Sequence, residues 1–331
     1  MKRLALLVVL VLAVGLAAGS GTNLLFGKAK VKKVSSKETA ASKKKSETAS
    51  PLSQPTSITK AATSPQFSVS QAMGHTFALS EQIGVRPPGS VKEAAAADYI
   101  VQRLGEYGYT VEEQPFTMAD GFASRNIVGT RRGTREGFTI VIGAHFDSPQ
   151  DSKGADDDAT GVGTVLELAR DFATRRIEPT MEFVFFGGNR PGSTDMDTRL
   201  VGAHRYVELT GSLEMKDIVG MIEVDCVGQG DTLALRSQGT GLQRLKDKLL
   251  TFAGVKNTPV TYIKSADDSD NIPFENSQIP SVWVEWCNPG GTLSTDNAYT
   301  SVVAQKVQTA GVLIESFVLR LNSQDLEELK Y

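Results

Sequence analysis

The chain of 331 residues reads as an α/β protein: a three-layer α/β/α sandwich whose open, mixed and mostly parallel sheet carries helices on both faces. Three observations predict this. The runs Phe138–Ile142, Met181–Phe186, Ile218–Val224 and Ser281–Trp286 are short and almost wholly apolar, as strands buried on both faces are. Other segments repeat their apolar residues at spacings of three and four, the period of a helix packed on one side. The two kinds alternate along the chain, which is the order that builds a parallel sheet covered above and below.

Taken in order, residues 1–27 come first as a targeting or anchoring segment. Lys2 and Arg3 precede the apolar run Leu4–Ala18, and Ala17-Ala18-Gly19-Ser20 supplies the small residues of a secretory signal. Reading on through Leu24, Leu25 and Phe26 gives enough length to span a bilayer, so a retained anchor stands beside a cleaved signal. Either way the protein is expected outside the cytoplasm, anchored or secreted. Residues 28–65 are rich in Lys, Ser, Thr and Ala and nearly lack large apolar side chains. Such a segment cannot offset its ordering entropy by burial and is expected to be a disordered stalk. The folded domain is then 66–331.

Charge divides at the same place. Residues 1–65 carry a net +9 and the whole chain −3, which leaves −12 for the domain. An acidic body on a basic tail argues against nucleic acid as a partner and suits contact of the tail with an anionic membrane or cell wall. Cys226 and Cys287 are too few for a disulfide framework. Two buried thiols are the plainer reading, and export would permit one disulfide.

Within the domain, Ala96, Tyr99, Ile100 and Leu104 form a helical stripe that Gly108 stops. Strands are expected at Tyr109–Phe116, Asn126–Thr130 and Phe138–Ile142. Helix Gly161–Phe172 places Val162, Val165, Leu166 and Ala169 on one face, and strand Met181–Phe186 ends in Gly187-Gly188. A closing helix carries Val303, Val307, Ala310, Ile314, Phe317 and Leu321.

Chemistry is expected at the carboxyl ends of the central strands. There, Gly143-Ala144-His145-Phe146-Asp147 sets an imidazole at a strand end with a carboxylate two residues on. That is the arrangement of a metal-ligating histidine and the group that fixes its tautomer. Eleven residues after His145, Asp156-Asp157-Asp158 opens a helix. One acid suffices to cap it, and three crowd like charges unless a cation compensates. Ile222-Glu223-Val224-Asp225 ends an apolar strand in a carboxylate, which is costly unless that group is paired or metal-bound.

The strings GAHFDSP, GADDDATGVG, FVFFGG, IEVDCVG and SDNIPF, with RPPGS at Arg86–Ser90, resemble metallopeptidase family 28, the co-catalytic zinc aminopeptidases, over about residues 70–320. The resemblance implies that His145 and Asp225 bind a first zinc, that Asp157 bridges two zincs, and that Asp147 orients His145. It also implies a pair of glutamates after FFGG, one the general base and one a ligand, where this chain has Asn189 and Arg190. The family's last histidine ligand falls at Thr292 when Asp296 is aligned. Both private ligands of the second zinc and the base are thus replaced together, leaving one zinc site, His145–Asp157–Asp225.

Aligned instead from Leu200-Val201-Gly202-Ala203, Asp197 falls on the metal-binding glutamate, with Met196 at the base position and Asp195 beside it. Asp195 or Asp197 then becomes a replacement base or ligand, although residues 189–198 also have the composition of a plain solvated loop. Glu223 shares a strand face with Asp225. It reads either as an improvised ligand or, more ordinarily, as the partner of an arginine or a residue at the sheet margin. Asp267, Asp268 and Asp270 read as a solvated acidic turn or as a site attracting an α-amino group. His204 is expected on a helix and His75 outside any metal context. Two functions stay open: a zinc hydrolase of weak or altered activity acting on peptide N-termini, and a non-catalytic relative used for extracellular binding. Amino-terminal glutamine cyclisation gains little, because it too needs an acidic residue on the altered loop and a histidine at Thr292.

Overall fold

A computed structural model describes residues 66–189, 199–267 and 269–331. The segments 1–27 and 28–65, and Arg190, Asp195 and Asp197, lie outside the described residues.

Among the described residues, eight strands form one sheet: β1 (Thr110–Thr117), β2 (Ala123–Arg131), β3 (Thr139–His145), β4 (Thr180–Phe186), β5 (Ile218–Val224), β6 (Thr232–Ser237), β7 (Thr261–Lys264) and β8 (Ser281–Cys287). Their spatial order is β1-β2-β4-β3-β5-β8-β6-β7. The central four, β4, β3, β5 and β8, are mutually parallel, whereas β1 to β2, β2 to β4 and β6 to β8 are antiparallel. The mixed, mostly parallel sheet expected from the sequence is therefore present. The helices are α1 (Val69–Phe77), α2 (Val91–Glu106), α3 (Thr160–Phe172), α4 (Val201–Leu209), α5 (Ser212–Asp217), α6 (Arg244–Val255), α7 (Ile272–Asn276), α8 (Ala304–Val318) and α9 (Ser323–Lys330).

Alternate residues of each central strand serve two cores. Ile140, Ile142 and Ala144 of β3, Phe183 and Phe185 of β4, and Ile222 and Val224 of β5 face the larger core, shared with α1, α2, α3, α6, α8 and α9. Val141, Val184, Phe186 and Met221 point the other way, into a smaller core closed by Tyr206 of α4 and Phe274 of α7. The period of two that sorts these residues also places His145, Glu223 and Asp225 on the α4/α7 side, since each lies two or four positions from Val141 or Met221.

Local chemistry sets the element ends. The Ser90 hydroxyl accepts the Glu93 N–H at 3.0 Å and starts α2. Gly108, at φ +84°, ends that helix in the left-handed conformation glycine adopts without strain, as its position in the sequence predicts. Both ends of the body are joined through Glu315 on α8. Its carboxylate accepts the backbone N–H groups of Gln66 and Phe67 at 2.6 and 3.1 Å and pairs with Arg175 at 2.9 Å. Cys226 and Cys287 are buried free thiols, so the plainer of the two cysteine readings holds. Among the described residues, no helix is long and apolar enough to cross a membrane.

Candidate metal centre

Three chain segments deliver the candidate ligands to one point. His145 is the last residue of β3, Asp225 follows β5 directly, and Asp157 lies in the turn that opens α3. Because β3 and β5 are parallel neighbours, their carboxyl ends coincide in space. His145 Nε2 lies 3.2 Å from Asp157 Oδ1 and 3.8 Å from Asp225 Oδ1. One ligand atom from each of the three falls within 4.8 Å of the others. His145 and Asp225 are buried, and the Asp157 side chain, 28% exposed, marks the side open to solvent.

The supports are built in. Asp147 Oδ1 lies 2.9 Å from His145 Nδ1, and its Oδ2 accepts the Asn189 backbone N–H at 2.6 Å. With Nδ1 engaged by Asp147, Nε2 of the ring faces the two acids. Ser269 Oγ donates to Asp225 Oδ2 at 2.9 Å, while Asp225 Oδ1 is buried without a hydrogen-bond partner. Burial opposes a charge on His145, yet hydrogen bonds to Asp147 and Asp157 and the charge of Asp225 outweigh it and hold the imidazole well above its usual pKa. The pocket is anionic enough to retain a proton where a cation would sit.

The three consecutive acids divide their work. Asp158 Oδ1 accepts the N–H groups of Gly161 and Cys226, at 2.8 and 3.2 Å. Asp156 Oδ1 accepts the Gly228 N–H at 2.7 Å and the Thr160 hydroxyl at 3.2 Å. Both tie the start of α3 to the end of β5, and Asp157 is the one whose carboxylate joins His145 and Asp225. Like-charge crowding alone therefore does not demand a cation here; the convergence of Asp157 with His145 and Asp225 is the stronger argument.

Several supporting residues escaped the sequence reading. Asn297 Oδ1 accepts the N–H groups of Asp156 and Asp157 at 3.2 and 2.9 Å and fixes the turn. Arg86, fully buried, donates from Nε to the Phe146 carbonyl at 2.7 Å and from Nη2 to that of Gly154 at 3.0 Å. It spans the loop between His145 and Asp157. Arg86 was noted only as the first residue of RPPGS, with no role given to it, and for Asn297 there was no signal.

Other expectations are corrected. Glu223 is neither at a sheet margin nor paired with an arginine: it sits on central β5, is fully buried, and neither carboxylate oxygen has a hydrogen-bond partner. Asp270 is not part of a solvated turn. It is fully buried behind the site, whereas Asp267 is exposed and pairs with Arg236 at 2.7 Å. Asn189 stands beside the centre, with its amide 3.5 Å from Asp270 Oδ2. Thr292 lies in an exposed turn closed by its carbonyl and the Asn288 N–H at 2.8 Å. His204 is half-buried on α4, and His75 hydrogen-bonds Tyr99 and Tyr107 at 2.6 and 3.0 Å, away from the centre.

Residues 126–306, more than half of the chain, match the sequence pattern of peptidase family M28. The chain belongs to this family. It is 26% identical over 276 residues to leupeptin-inactivating enzyme 1 of Streptomyces exfoliatus, covering 80% of this chain and 58% of that protein. It is 22% identical over 207 residues to aminopeptidase YwaD of Bacillus subtilis, covering 59% of this chain and 44% of that one. The chain thus spans about half the length of these two relatives. Among solved structures, a zinc aminopeptidase from Bacillus subtilis superposes with a TM-score of 0.70 at 16% identity, over 76% of this chain and 94% of that one. A glutaminyl cyclase from Porphyromonas gingivalis gives 0.65 at 21% identity, over 76% and 98%. Likeness at such identity establishes the shared fold.

The donor set suits the zinc of such aminopeptidases. One imidazole nitrogen and two carboxylate oxygens converge, and one of those oxygens is buried without a partner, which matches a three-ligand site with a fourth position open.

Proposed function

We propose that this protein is an exported, single-zinc member of peptidase family M28 that acts on the free amino termini of peptides, with weak or altered hydrolytic activity. The observation that carries the reading is the convergence of His145, Asp157 and Asp225 with Asp147 behind the histidine. When bound there, zinc lowers the pKa of a coordinated water and polarises a carbonyl.

The chain's own residues do the remaining work. Asp147 takes the Nδ1 proton of His145 in a hydrogen bond and leaves Nε2 free to ligate. Ser269 and the Trp283 indole N–H, which donate to the side chain and carbonyl of Asp225, hold that residue's orientation. Asp157 lies on the solvent side, where substrate enters. Among the described residues, the position beside Asp147 holds no base, because the neutral amide of Asn189 accepts no proton there. Loss of a general base costs about 10²–10⁴-fold in rate, which is why the activity proposed is weak. Asp195 and Asp197 are the candidates for a substitute. Export rests on the basic-apolar-small pattern of residues 1–27, and the stalk at 28–65 would hold the domain away from a surface.

Asn189 and the exposed Thr292 favour a second reading, in which the fold serves extracellular binding and the metal is structural. Counting zinc per chain by elemental analysis, alongside aminoacyl-nitroanilide hydrolysis by the wild type and His145→Ala, decides between them. One zinc with slow turnover, both lost in His145→Ala, supports the enzyme. One zinc without turnover leaves the binding protein. No zinc in the wild type ends both the metal site and the hydrolase.

A further inference from the structure

The glycine of RPPGS and the last glycine of FFGG meet at one buried carboxylate to which the zinc reading gives no part. Glu93, on the first turn of α2, is 2% exposed. Its Oε2 accepts the Gly89 N–H at 2.5 Å, and its Oε1 accepts the Gly188 N–H at 3.1 Å and the Ser124 hydroxyl at 2.6 Å. The turn before α2, the start of β2 and the loop after β4 are thus tied to one side chain. The close approach needs glycine. A Cβ on Gly187 would stand 2.3 Å from Ser124 Oγ, and one on Gly188 3.2 Å from Met118 Sδ. Gly188 also sits at φ +71°, the left-handed region that glycine enters without strain.

The loop held in this way is the one beside the metal centre. The next N–H after Gly188, that of Asn189, donates to Asp147 Oδ2 at 2.6 Å, and Asp147 Oδ1 lies 2.9 Å from His145 Nδ1. A continuous line of contacts therefore runs from Glu93 through two successive backbone amides to Asp147 and the histidine. Ionisation of Glu93 decides whether that line is taut. Neither backbone N–H can accept a proton; the Ser124 hydroxyl can, and it sits on Oε1, the oxygen that also holds Gly188. A proton there competes with the Gly188 bond and removes the charge that strengthens it. Burial first, and then the charge of Asp147, push Glu93 up to about 7 against the pull of its three hydrogen bonds. Among the described residues around it, Arg125 of β2 pairs with Asp98 of α2 and Glu113 of β1. Arg86, ahead of α2, spans the carbonyls of Phe146 and Gly154, and Asp120 beyond β1 is exposed.

We infer that Glu93 is a positioning residue of the metal centre: as a carboxylate it fixes the Gly188–Asn189 backbone against Asp147, and once protonated it releases that backbone and the support behind His145. The effect on metal affinity rests on the zinc reading, whereas the line of contacts stands without an ion.

Amide exchange followed by NMR in the metal-free full-length protein tests the anchor and needs no variant. With intrinsic rates removed, protection of the Gly188 and Asn189 N–H groups should fall about tenfold as pH drops from about 8 to about 6, while that of Ile142 and Phe183 in the central strands stays constant. Protection flat with pH at Gly188 and Asn189 would overturn the inference. Zinc affinity tests the consequence. Wild type should bind zinc about tenfold more tightly than Glu93→Gln at about pH 8, and equally at about pH 6, where both side chains are uncharged. Glu93→Asp should bind as weakly as Glu93→Gln, since a carboxylate one methylene shorter cannot reach Gly89 and Gly188 together. A ratio that does not change with pH would reduce Glu93 to a packing role, and full affinity in Glu93→Asp would reduce it to a distant charge. Either result refutes the positioning. If the wild type takes up no zinc, the zinc reading fails, and the exchange profile still decides whether Glu93 anchors the loop at Asp147.

Discussion

Replacing Arg86 with alanine should weaken the fold and loosen the metal centre together. The side chain is fully buried, and it serves the carbonyls of Phe146, Gly154 and Lys153, the last through Nη1 at 2.5 Å. Lys153 is exposed, so water can replace the guanidinium at its carbonyl. Phe146 and Gly154 are buried, and each orphaned carbonyl there costs about 1–3 kcal/mol. Burial draws the Arg86 pKa down to about 10 while Asp147, Asp158 and Asp157 oppose that fall, so the substitution also strips a cation from beside three acids. With two such carbonyls the loss comes to about 2–6 kcal/mol. Urea unfolding of the metal-free chain measures it. Arg86→Lys should recover only part of the loss, because an ammonium cannot serve the divergent carbonyls that a planar fork reaches. Zinc affinity should fall about tenfold or more, because the clamped loop joins His145 to Asp157. A loss below about 1 kcal/mol in Arg86→Ala, inside the range of one ordinary hydrogen bond, would refute this account of the clamp.

Other expectations follow from the same geometry. Asn297→Ala should cost about 1 kcal/mol and lower zinc affinity, read by competition with a chromogenic chelator, because two backbone N–H groups at Asp156 and Asp157 lose their acceptor; unchanged affinity would mean that the turn holds itself. His75 is held down to about 4, by burial first and then by the charges of Arg103 and Arg170. The unfolded chain therefore takes up a proton near pH 6.5 that the folded chain refuses until about pH 4. Stability falls across that window by at most about 1.4 kcal/mol per pH unit from this group. His75→Gln should flatten that part of the urea midpoint-against-pH curve, and an unaltered slope would exclude the histidine as its source. Both cysteines should be silent to a thiol reagent in the native protein and titrate as two thiols after unfolding, since burial pushes Cys226 well above, and Cys287 up to about 11 from, the ordinary thiol range. Fast native reaction of either would contradict their enclosure.

The central strands were legible because a strand covered on both faces is mostly apolar, and β3, β4, β5 and β8 each keep a continuous apolar run around at most one acid. What escaped was less regular. β6 carries Arg236, buried against Glu285 at 2.6 Å, and a charged residue inside a strand hides its period. β7 has four residues, half-buried or exposed, too few to show any period at all. In the site, His145 and Asp147 were readable because the strand supplies both groups locally, and Asp225 because an acid ends an apolar run. The surroundings of Glu223 were not, since a strand's period gives the face of a residue but not what lies over it. The same holds for Asn297, whose partners are 140 and 141 positions away.

The clasp at Glu315 has a consequence for how the chain is made. Gln66 and Phe67 meet their acceptor 249 and 248 residues later, and the ring of Phe67 packs against Gly311 of α8. During synthesis the beginning of the domain therefore waits for nearly its last helix before its backbone donors are satisfied. Among the central strands, β5 likewise has no parallel partner on one side until β8 emerges. A chain cut short before α8 would leave its first helix and part of the larger core uncovered together, a natural substrate for chaperones and proteases.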